Sequence, residues 1–456
     1  MKVETSSPVR RRPPRRGCRS TPPTANRRER CRFAGAAIGP TPRPGPLISQ
    51  RSGFQPRFGG ATSLNSTPFQ IAYVSTYVPK RCGLATYTHH LREAVAASKG
   101  SSAPDPVIAM CNADEADAYN EPWLYPLLKQ EKDDYRRLAD ALNRSSVDVV
   151  SVQHEFGIFG GQAGDYLLEF LDRLKKPVAT TFHTVFENPA EPYASVQAAI
   201  AERSDRIHVM NRKAVGYLHD HFRIPLEKIS FIPHGAPVPN RRERTLTRQQ
   251  YGWENRKVLF QFGLLGRSKG IESLLRALSK AVNAVPDLLY IIAGQTHPEV
   301  KKHEGEAYRE ELIALIAELG LEHHVRMINR YVPEDELVSL ISACDLYVTP
   351  YPGMQQITSG TLAYAAGLGR PILSTPYSYA KDLVQGYDEL LLPYGDTEAW
   401  SSKIIELFTY PELRAECEKW MSEIGRSMQW PQVGAQYLGL LERVVANKDW
   451  GMADVV

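Results

Sequence analysis

The sequence predicts an α/β protein built from two doubly wound domains. Short apolar runs alternate with segments of helical length over residues 68–236, and the same pattern restarts over residues 257–425. Such alternation is typical of parallel sheets that helices cover on both faces. A polar segment at 237–256, which contains RRER, separates the two sets of elements and is predicted to be the linker. The length of 456 residues also favours two domains with tails over a single domain.

The composition is that of a globular protein, with 43% hydrophobic and 23% charged residues. No run of about 18 apolar residues is present that could cross a membrane. The net charge of +4 is unevenly distributed, because residues 1–60 hold 13 arginines and one lysine against two glutamates. That segment has a charge of +12, which leaves −8 on the remaining residues. A mildly acidic folded part argues against a general nucleic-acid binder.

Residues 1–67 are rich in arginine, proline and serine and show no apolar periodicity, so we predict a disordered extension. Its composition is compatible with an organellar targeting segment, with an unstructured extension or mis-assigned start, and with an arm that binds RNA or another anion. The six cysteines include no C-x-x-C pair, which indicates a reducing compartment. We therefore expect a cytoplasmic protein, with import into an organelle as the alternative.

The first domain begins with a strand at 71–74, a turn at 79–83 and a helix from residue 86. Lys80 and Arg81 lie in this turn beside Gly83, where they either meet an anion or remain solvated. Further strands are predicted at 107–110, 147–153, 177–182, 206–210 and 228–233.

Three of these predicted strands end at a histidine: His154, His183 and His234. In sheets of parallel strands, ligands bind at the carboxyl ends of the strands. A single histidine at such a position is usually structural. Three histidines at the ends of three strands of one sheet indicate an active-site edge.

The second domain repeats the arrangement with a strand at 258–263 and an amphipathic helix at 271–282. The turn between them, LLGRSKG, follows Gly263 and contains Arg267 and Lys269. Further strands are predicted at 288–294, 325–329, 346–349, 372–374 and 390–393, and helices at 400–409, 412–425 and 433–447.

Within this domain, residues 345–377 form a strand, a turn, a short helix and another strand. Ser359 and Thr361 are good helix N-cap residues, and Gly367 and Gly369 supply the end of the helix. Such a unit directs free backbone N–H groups and the positive end of a helix dipole at one place, which suits a phosphate or diphosphate. An ordinary crossover between parallel strands is the alternative.

Several motifs in this order resemble one known family. They are YVPKRCGLATYTHHL, VQHEFGIFGG, TTFHTV, FIPHG, FGLLGRSKGIE, IIAGQTHPEVKKHEGEAYREEL and QQITSGTLAYAAGLGRPILSTPY. With them the chain resembles the retaining glycosyltransferases of family 4, also called glycosyl transferases group 1, which have the GT-B fold. The resemblance spans residues 69–447. It implies two Rossmann-like domains that face each other across a cleft, with the acceptor on the first and the nucleotide sugar on the second. It also implies that residues 426–456 form a helix that packs back on the first domain.

The resemblance assigns roles to individual residues. Lys269 and Arg267 would neutralise the donor diphosphate, although Leu264 stands where the family has its arginine. His154 or His183 would contact the donor sugar. The family's two site glutamates are replaced here by Gln356 and Tyr364. The residues expected to bind the donor are Gln356, Thr358, Ser359, Gly360, Thr361, Tyr364 and Gly263, and those on the acceptor side are Gly83, Lys80 and Arg81.

The implied function is transfer of a hexose of the mannose or glucose type, with retention of configuration. The donor would be a GDP- or UDP-linked sugar, and the acceptor a hydroxyl of a saccharide or another compound. No further cofactor, no metal ion, no nucleic acid and no transmembrane segment is expected. A non-catalytic nucleotide-sugar-binding protein and a nucleotide-sugar epimerase are the alternatives. A pyridine-nucleotide oxidoreductase is disfavoured, because the first turn lacks G-x-G-x-x-G.

Overall fold

The computed structural model describes residues 69–100 and 103–453. The N-terminal extension predicted at 1–67 lies outside the described residues. Two parallel sheets form the framework, and both pack into one compact unit.

The first sheet has the strand order β3-β2-β1-β4-β5-β6-β7, with every neighbouring pair parallel. Its strands are β1 (Ile71–Ser75), β2 (Val107–Cys111), β3 (Leu124–Leu128), β4 (Val149–His154), β5 (Val178–Phe182), β6 (Arg206–Val209) and β7 (Ile229–Phe231). Alternate residues of β1 enter separate hydrophobic clusters, Ala72 and Val74 in one and Ile71 and Tyr73 in the other. The sheet is therefore buried on both faces, as predicted.

Strand β3 was missed by the sequence prediction. Its sequence, LYPLL, contains Pro126, which has no N–H to donate to a neighbouring strand. The structure places β3 at the edge of the sheet, where only β2 pairs with it and Pro126 lies opposite Ala109. A proline is tolerated in an edge strand, so the broken apolar pattern hid a real strand.

The helices of this domain cover both faces of the sheet. They are α1 (Gly83–Lys99), α2 (Lys132–Asn143), α3 (Tyr166–Leu171), α4 (Tyr193–Arg203) and α5 (Arg212–Phe222).

The second sheet has the order β10-β9-β8-β11-β12, again with parallel pairs. Its strands are β8 (Lys257–Phe262), β9 (Leu288–Ala293), β10 (Val325–Ile328), β11 (Leu346–Thr349) and β12 (Ile372–Ser374). The strand predicted at 390–393 is wrong, because a 3₁₀ turn covers Asp388–Leu390 and only Leu391 forms a bridge, to Ser374. Pro393 lacks an N–H, and the chain turns at Gly395 (φ +82°), so pairing cannot continue.

The remaining helices belong to the second domain and to the C-terminal end of the chain. They are α6 (Arg241–Tyr251), α7 (Ile271–Ala284), α8 (Pro298–Glu304), α9 (Ala307–Glu318), α10 (Glu334–Ala343), α11 (Gly360–Gly367), α12 (Ser378–Leu383), α13 (Thr397–Thr409), α14 (Pro411–Met428) and α15 (Trp430–Ala453). Within the described range, no helix combines the length and the apolar character that a membrane span requires.

Helix α6 lies inside the segment predicted as a linker. Two of its arginines, Arg244 and Arg248, bind the two carboxylate oxygens of Asp345 at 2.7 and 3.1 Å. The same carboxylate accepts a hydrogen bond from the backbone N–H of Val258 at 2.8 Å. Two of the arginines that give this segment its polar, linker-like composition therefore anchor α6 on the second domain.

The predicted crossing helix is confirmed. Helix α15 packs against α1, and a Cβ on Gly434 would lie 2.5 Å from the backbone of Ala94. The Tyr437 hydroxyl lies 2.8 Å from the Ser151 hydroxyl and 3.2 Å from the Thr181 hydroxyl, on β4 and β5. These contacts fasten the C-terminal end of the chain to the first sheet.

Candidate functional site

A cleft of about 790 Å³ lies between the two domains and brings together six segments of the chain. The first domain contributes the start of α1 and His234, which follows β7. The second contributes the β8–α7 turn, the residues after β9, the segment that leads from β10 into α10, and the start of α11. The walls thus come from the carboxyl ends of parallel strands, where ligands of such sheets bind.

The β8–α7 turn holds Lys269 at the floor of this cleft. The turn is tight, because Gly270 has φ +60° and a Cβ there would lie 1.9 Å from the Pro350 carbonyl oxygen. Lys269 Nζ lies 4.5 Å from the centroid of the Tyr351 ring. No described acidic side chain forms an ion pair with it, and burial lowers its pKa to about 8. A desolvated ammonium without an acidic partner is a ready site for an anion.

The N-terminus of α11 lies beside this ammonium. A Cβ built on Gly263 would lie 3.8 Å from Lys269 Nζ and 3.7 Å from the Thr361 methyl group. The glycine (φ +138°) therefore leaves open the space between the lysine and the helix. Ser359 caps α11 by accepting a hydrogen bond from Leu362 N at 3.4 Å, and the Thr361 hydroxyl lies 3.0 Å from the Tyr351 hydroxyl. Backbone N–H groups in this first helical turn have no partner within the helix and suit an anion.

Arg267, the other predicted cation, also lines the cleft but is already compensated. Its guanidinium donates two hydrogen bonds to the Glu311 carboxylate, at 2.7 and 2.8 Å. Glu304 lies 3.8 Å away, and 57% of the Arg267 side chain is exposed. The two predicted diphosphate cations are thus unequal, and Lys269 is the one available to a ligand.

In the acceptor-side turn of the first domain, too, one basic residue is paired with an acid and the other lines the cleft. Lys80 donates two hydrogen bonds to Glu115, at 2.7 and 2.8 Å, and does not line the cleft. Arg81 does line it, and its guanidinium carbon lies 5.0 Å from the centroid of the Tyr331 ring, on the opposite wall. Gly83 begins α1 at the cleft, after Cys82, whose sulfur accepts a hydrogen bond from Ala85 N.

His154, which ends β4, is enclosed outside the cleft. Its ring stacks on Phe159 at 5.8 Å and meets the edges of Phe156 and Phe182. Neither ring nitrogen has a hydrogen-bond partner among the described residues, and burial lowers its pKa to about 3. The side chain is therefore neutral at pH 7.

The other two histidines lie nearer to the cleft. His183 Nε2 lies 3.0 Å from Gln153 Oε1, and its ring contacts the edge of Tyr87, which lines the cleft. Burial and neighbouring histidines lower its pKa well below the usual value. His234 itself lines the cleft, and burial lowers its pKa to about 4. Both are neutral imidazoles that can donate or accept a hydrogen bond.

The predicted donor residues separate into two groups. Gly263, Gly360, Thr361 and Tyr364 line the cleft, and Ser359 supports them as the helix cap. Gln356 is exposed, does not line the cleft, and donates its side-chain amide to the Thr358 carbonyl at 2.7 Å. The Thr358 hydroxyl is buried and has no partner among the described residues.

Glu334, the first residue of α10, is a cleft residue that sequence reasoning missed. Its Oε1 accepts a hydrogen bond from the Tyr364 hydroxyl at 2.9 Å, and its Oε2 meets His90 Nε2 from the first domain. Burial alone would raise its pKa, but the bonds to His90 and Tyr364 reverse this and hold the pKa below the usual value. The only sequence signal was the acidic helix start PEDEL, which is common on solvated helices.

Metal-binding side chains do not cluster in the part of the chain that the structure describes. No group of three or more histidine, cysteine, aspartate or glutamate side chains is arranged there to hold an ion.

Comparison with known proteins assigns the chain to a family. The model named Glycosyltransferase Family 4 matches residues 82–238, and the model named Glycosyl transferases group 1 matches residues 243–421. By family and by fold, the chain is a GT-B glycosyltransferase. Solved structures agree on the fold. Anabaena Alr3699/HepE in complex with UDP superposes with a TM-score of 0.66 at 16% identity, over 82% of this chain and 100% of that one. For WaaG, a glycosyltransferase involved in lipopolysaccharide biosynthesis, the TM-score is 0.56 at 17% identity, over 81% and 99%.

Two curated relatives match parts of this GT-B glycosyltransferase. Alpha-D-kanosaminyltransferase of Streptomyces kanamyceticus is 22% identical over 255 residues, which is 52% of this chain and 63% of the relative. GDP-mannose:glycolipid 4-beta-D-mannosyltransferase of Xanthomonas campestris pv. campestris is 30% identical over 164 residues, or 35% and 36%. The matched region thus spans less than two thirds of either relative.

Proposed function

We propose that this GT-B glycosyltransferase moves a hexose of the mannose or glucose type from a nucleotide diphosphate sugar to an acceptor hydroxyl, with retention of configuration. The observation that supports this most is the position of Lys269. Its ammonium has no acidic partner among the described residues and lies in the interdomain cleft beside the N-terminus of α11. A diphosphate fits both features, because it brings negative charge and several hydrogen-bond acceptors.

The same arrangement would also support catalysis. When the bond between the anomeric carbon and the phosphate oxygen breaks, the diphosphate gains negative charge as it leaves. Lys269 and the amides of Gly360 and Thr361 would interact more strongly with this leaving group in the transition state than with the intact donor. On the facing wall, the neutral imidazole of His234 can hydrogen-bond to hydroxyls of the donor sugar or the acceptor.

We also propose that the reaction needs no metal ion, because Lys269 and the helix amides would neutralise the diphosphate. EDTA should then leave turnover within about twofold of its value in untreated protein, since no ion takes part in leaving-group stabilisation. A strict dependence on added magnesium or manganese would contradict this design of the site.

Donor identity can be tested with a panel of nucleotide sugars. The first candidates are glucose and mannose linked to UDP or to GDP. The HepE structure is a complex with UDP, and the name of the Xanthomonas relative contains GDP-mannose. Released nucleotide is measured with and without a set of saccharide acceptors. We expect acceptor-dependent release for one donor, whereas binding without release from any donor would indicate a non-catalytic nucleotide-sugar-binding protein.

Stereochemistry needs its own measurement. The names of the two relatives contain opposite anomeric descriptors, alpha and beta. We expect NMR of the first product formed from an α-linked donor to show an α-glycoside. A β-glycoside would overturn retention while leaving the transferase assignment intact.

A further inference from the structure

Two carboxylates occur among the described residues that line the cleft, those of Glu304 and Glu334. Glu304 lies 3.8 Å from Arg267 in the basic turn, so Glu334 is the carboxylate outside that turn. Glu334 lies in the segment before and within α10 that also contributes Tyr331, Val332 and Leu337 to the wall. A carboxylate beside an aromatic and aliphatic surface is the environment that a nucleoside needs, since its base is flat and its ribose has a diol.

The bonds of Glu334 leave it able to accept more. Tyr364 donates to Oε1, and His90 bonds to Oε2, so each oxygen has one hydrogen-bond partner among the residues that the structure describes. An ionised carboxylate has about four acceptor positions, two on each oxygen. One position therefore stays open on each oxygen, and 29% of the side chain is exposed. Two parallel acceptors of this kind match two neighbouring hydroxyls.

The place of Tyr364 on α11 also fits. Tyr364 follows Thr361 by three residues, so the two lie on the same side of the helix, and both line the cleft. The carboxylate that Tyr364 holds therefore belongs to the same region of the cleft as the start of α11. The apolar residues Val332 and Leu337 on the same segment distinguish this position from the polar end, where His234 faces Gly360.

We propose that Glu334 binds the ribose diol of the nucleotide, and that Tyr364 and His90 position its carboxylate for this contact. The proposal rests on the proposed function, because it assigns one part of the same donor. It also gives Tyr364 a role as a positioning residue, since its hydroxyl orients a carboxylate that lies on another helix. The site would then distinguish ribonucleotides from 2′-deoxyribonucleotides.

Isothermal titration with UDP, GDP and their 2′-deoxy analogues tests this. For the base that binds, we expect the wild-type protein to bind the deoxy analogue about 10- to 100-fold more weakly, because a hydrogen bond to a charged group is lost. In Glu334→Gln the ribonucleotide should weaken, and the two forms should bind within about threefold of each other. Tyr364→Phe should give an intermediate ratio without a large change in melting temperature.

Glu336→Gln is the matched control. Glu336 lies on the same helix, and its carboxylate also accepts from a tyrosine, Tyr251, and from a basic side chain, Arg330, but it does not line the cleft. The ratio between ribose and deoxyribose forms should be that of the wild-type protein in this variant.

The outcomes separate the proposal from the function on which it depends. Equal binding of both forms by the wild-type protein would overturn the ribose contact but leave the transferase assignment standing. If Glu334→Gln weakens the nucleotide sugar but not the free nucleotide, Glu334 contacts the transferred sugar instead, and the proposal is wrong. If no nucleotide binds the wild-type protein, the proposed function fails and the proposal fails with it. Should Glu334→Gln not fold, the wild-type ratio and Tyr364→Phe still decide.

Discussion

The first turns of the two domains have the same local pattern but different surroundings. Each follows the first strand of its sheet, contains two basic residues, and precedes a helix. In each turn one cation is paired within its own domain, Lys80 with Glu115 and Arg267 with Glu311. The other cation faces the cleft. Arg81 lies over an aromatic ring at the exposed rim, whereas Lys269 lies at the floor of the cleft with its pKa lowered by burial.

The comparison teaches that a basic residue in a glycine turn is available to a ligand only if no acid reaches it first. Glu311 lies 44 residues after Arg267, on α9, and Glu115 lies 35 residues after Lys80. Pairing of this kind depends on how helices and loops pack over the turn. The two turns also differ in how closely they are packed, because a Cβ on Gly270 would meet backbone atoms, whereas a Cβ on Gly83 would meet no atom within 4 Å.

The largest expected effect is that of Lys269→Ala. Removing its ammonium should cost about 2.7 to 4 kcal/mol of transition-state stabilisation, which corresponds to about a 100- to 1,000-fold loss of turnover. The melting temperature should change little, because Lys269 forms no ion pair with any described residue that its removal would break. Steady-state turnover and a thermal melt on the same preparation give both values. Wild-type turnover in this variant would remove the diphosphate from the second-domain turn and make the two turns equivalent.

Donor binding should depend on pH through Lys269, the buried cation of the second-domain turn. Because burial lowers the pKa of Lys269 to about 8, the ammonium is lost as the pH rises through this value. Donor affinity should therefore fall about tenfold for each pH unit above 8, provided that the diphosphate binds the charged form. Titration between about pH 7 and 9.5 measures this. Lys269→Arg should abolish the fall, whereas an unchanged profile in that variant would assign it to another group.

Glycine substitution tests how tightly each turn is packed around its glycine. Gly270→Ala should lower the free energy of unfolding by more than about 1 kcal/mol, since the residue has φ +60° and its Cβ would meet the Pro350 carbonyl. Gly83→Ala should stay within about 0.5 kcal/mol of the wild type, because open space surrounds the position. Urea denaturation of both variants provides the comparison. Equal losses would mean that the turns are equally constrained.

Arg81→Ala should have a smaller effect on donor use. Its contact with Tyr331 joins the two walls of the cleft, and an exposed cation–π contact contributes about 0.5 to 1 kcal/mol. We expect KM for the donor to rise about two- to fivefold, while turnover at saturating donor stays nearly unchanged. A loss of turnover as large as that of Lys269→Ala would place Arg81 on the reacting groups and give the first-domain turn a catalytic part.

The smallest effects should come from the two paired cations. Lys80→Ala and Arg267→Ala each break a surface ion pair, which is worth about 0 to 1 kcal/mol. Turnover should stay within about threefold of the wild type in both variants, because neither charge is free to meet the donor. An Arg267→Ala defect as large as that of Lys269→Ala would show that donor binding displaces Glu311.

Several features of the fold were determined by the sequence itself. Buried parallel strands need nearly continuous apolar runs, and this local requirement made every strand of both sheets except β3 visible. The start of α11 was equally local, since Ser359 caps it as predicted. The apolar pattern did not reveal an element where proline or polar side chains interrupt it. Pro126 interrupts a true edge strand, and the polar side chains of Arg244 and Arg248 hold α6 on Asp345.

The site was only partly determined in this way. The basic glycine turn and the predicted start of α11 indicated Lys269 and Thr361, because such groups lie close to their own strand or helix, and the resemblance to the family assigned the donor role to Lys269 and added Gly263. Tertiary structure alone decided which charges are compensated, and it pairs Arg267 and Lys80 with acids. It also encloses His154 among phenylalanine rings. It also brought Glu334 against Tyr364 and His90, from helices far apart in the chain. The physical reason is that burial and ion pairing depend on distances in space between residues far apart in the chain. The spacing of residues along one segment does not determine those distances.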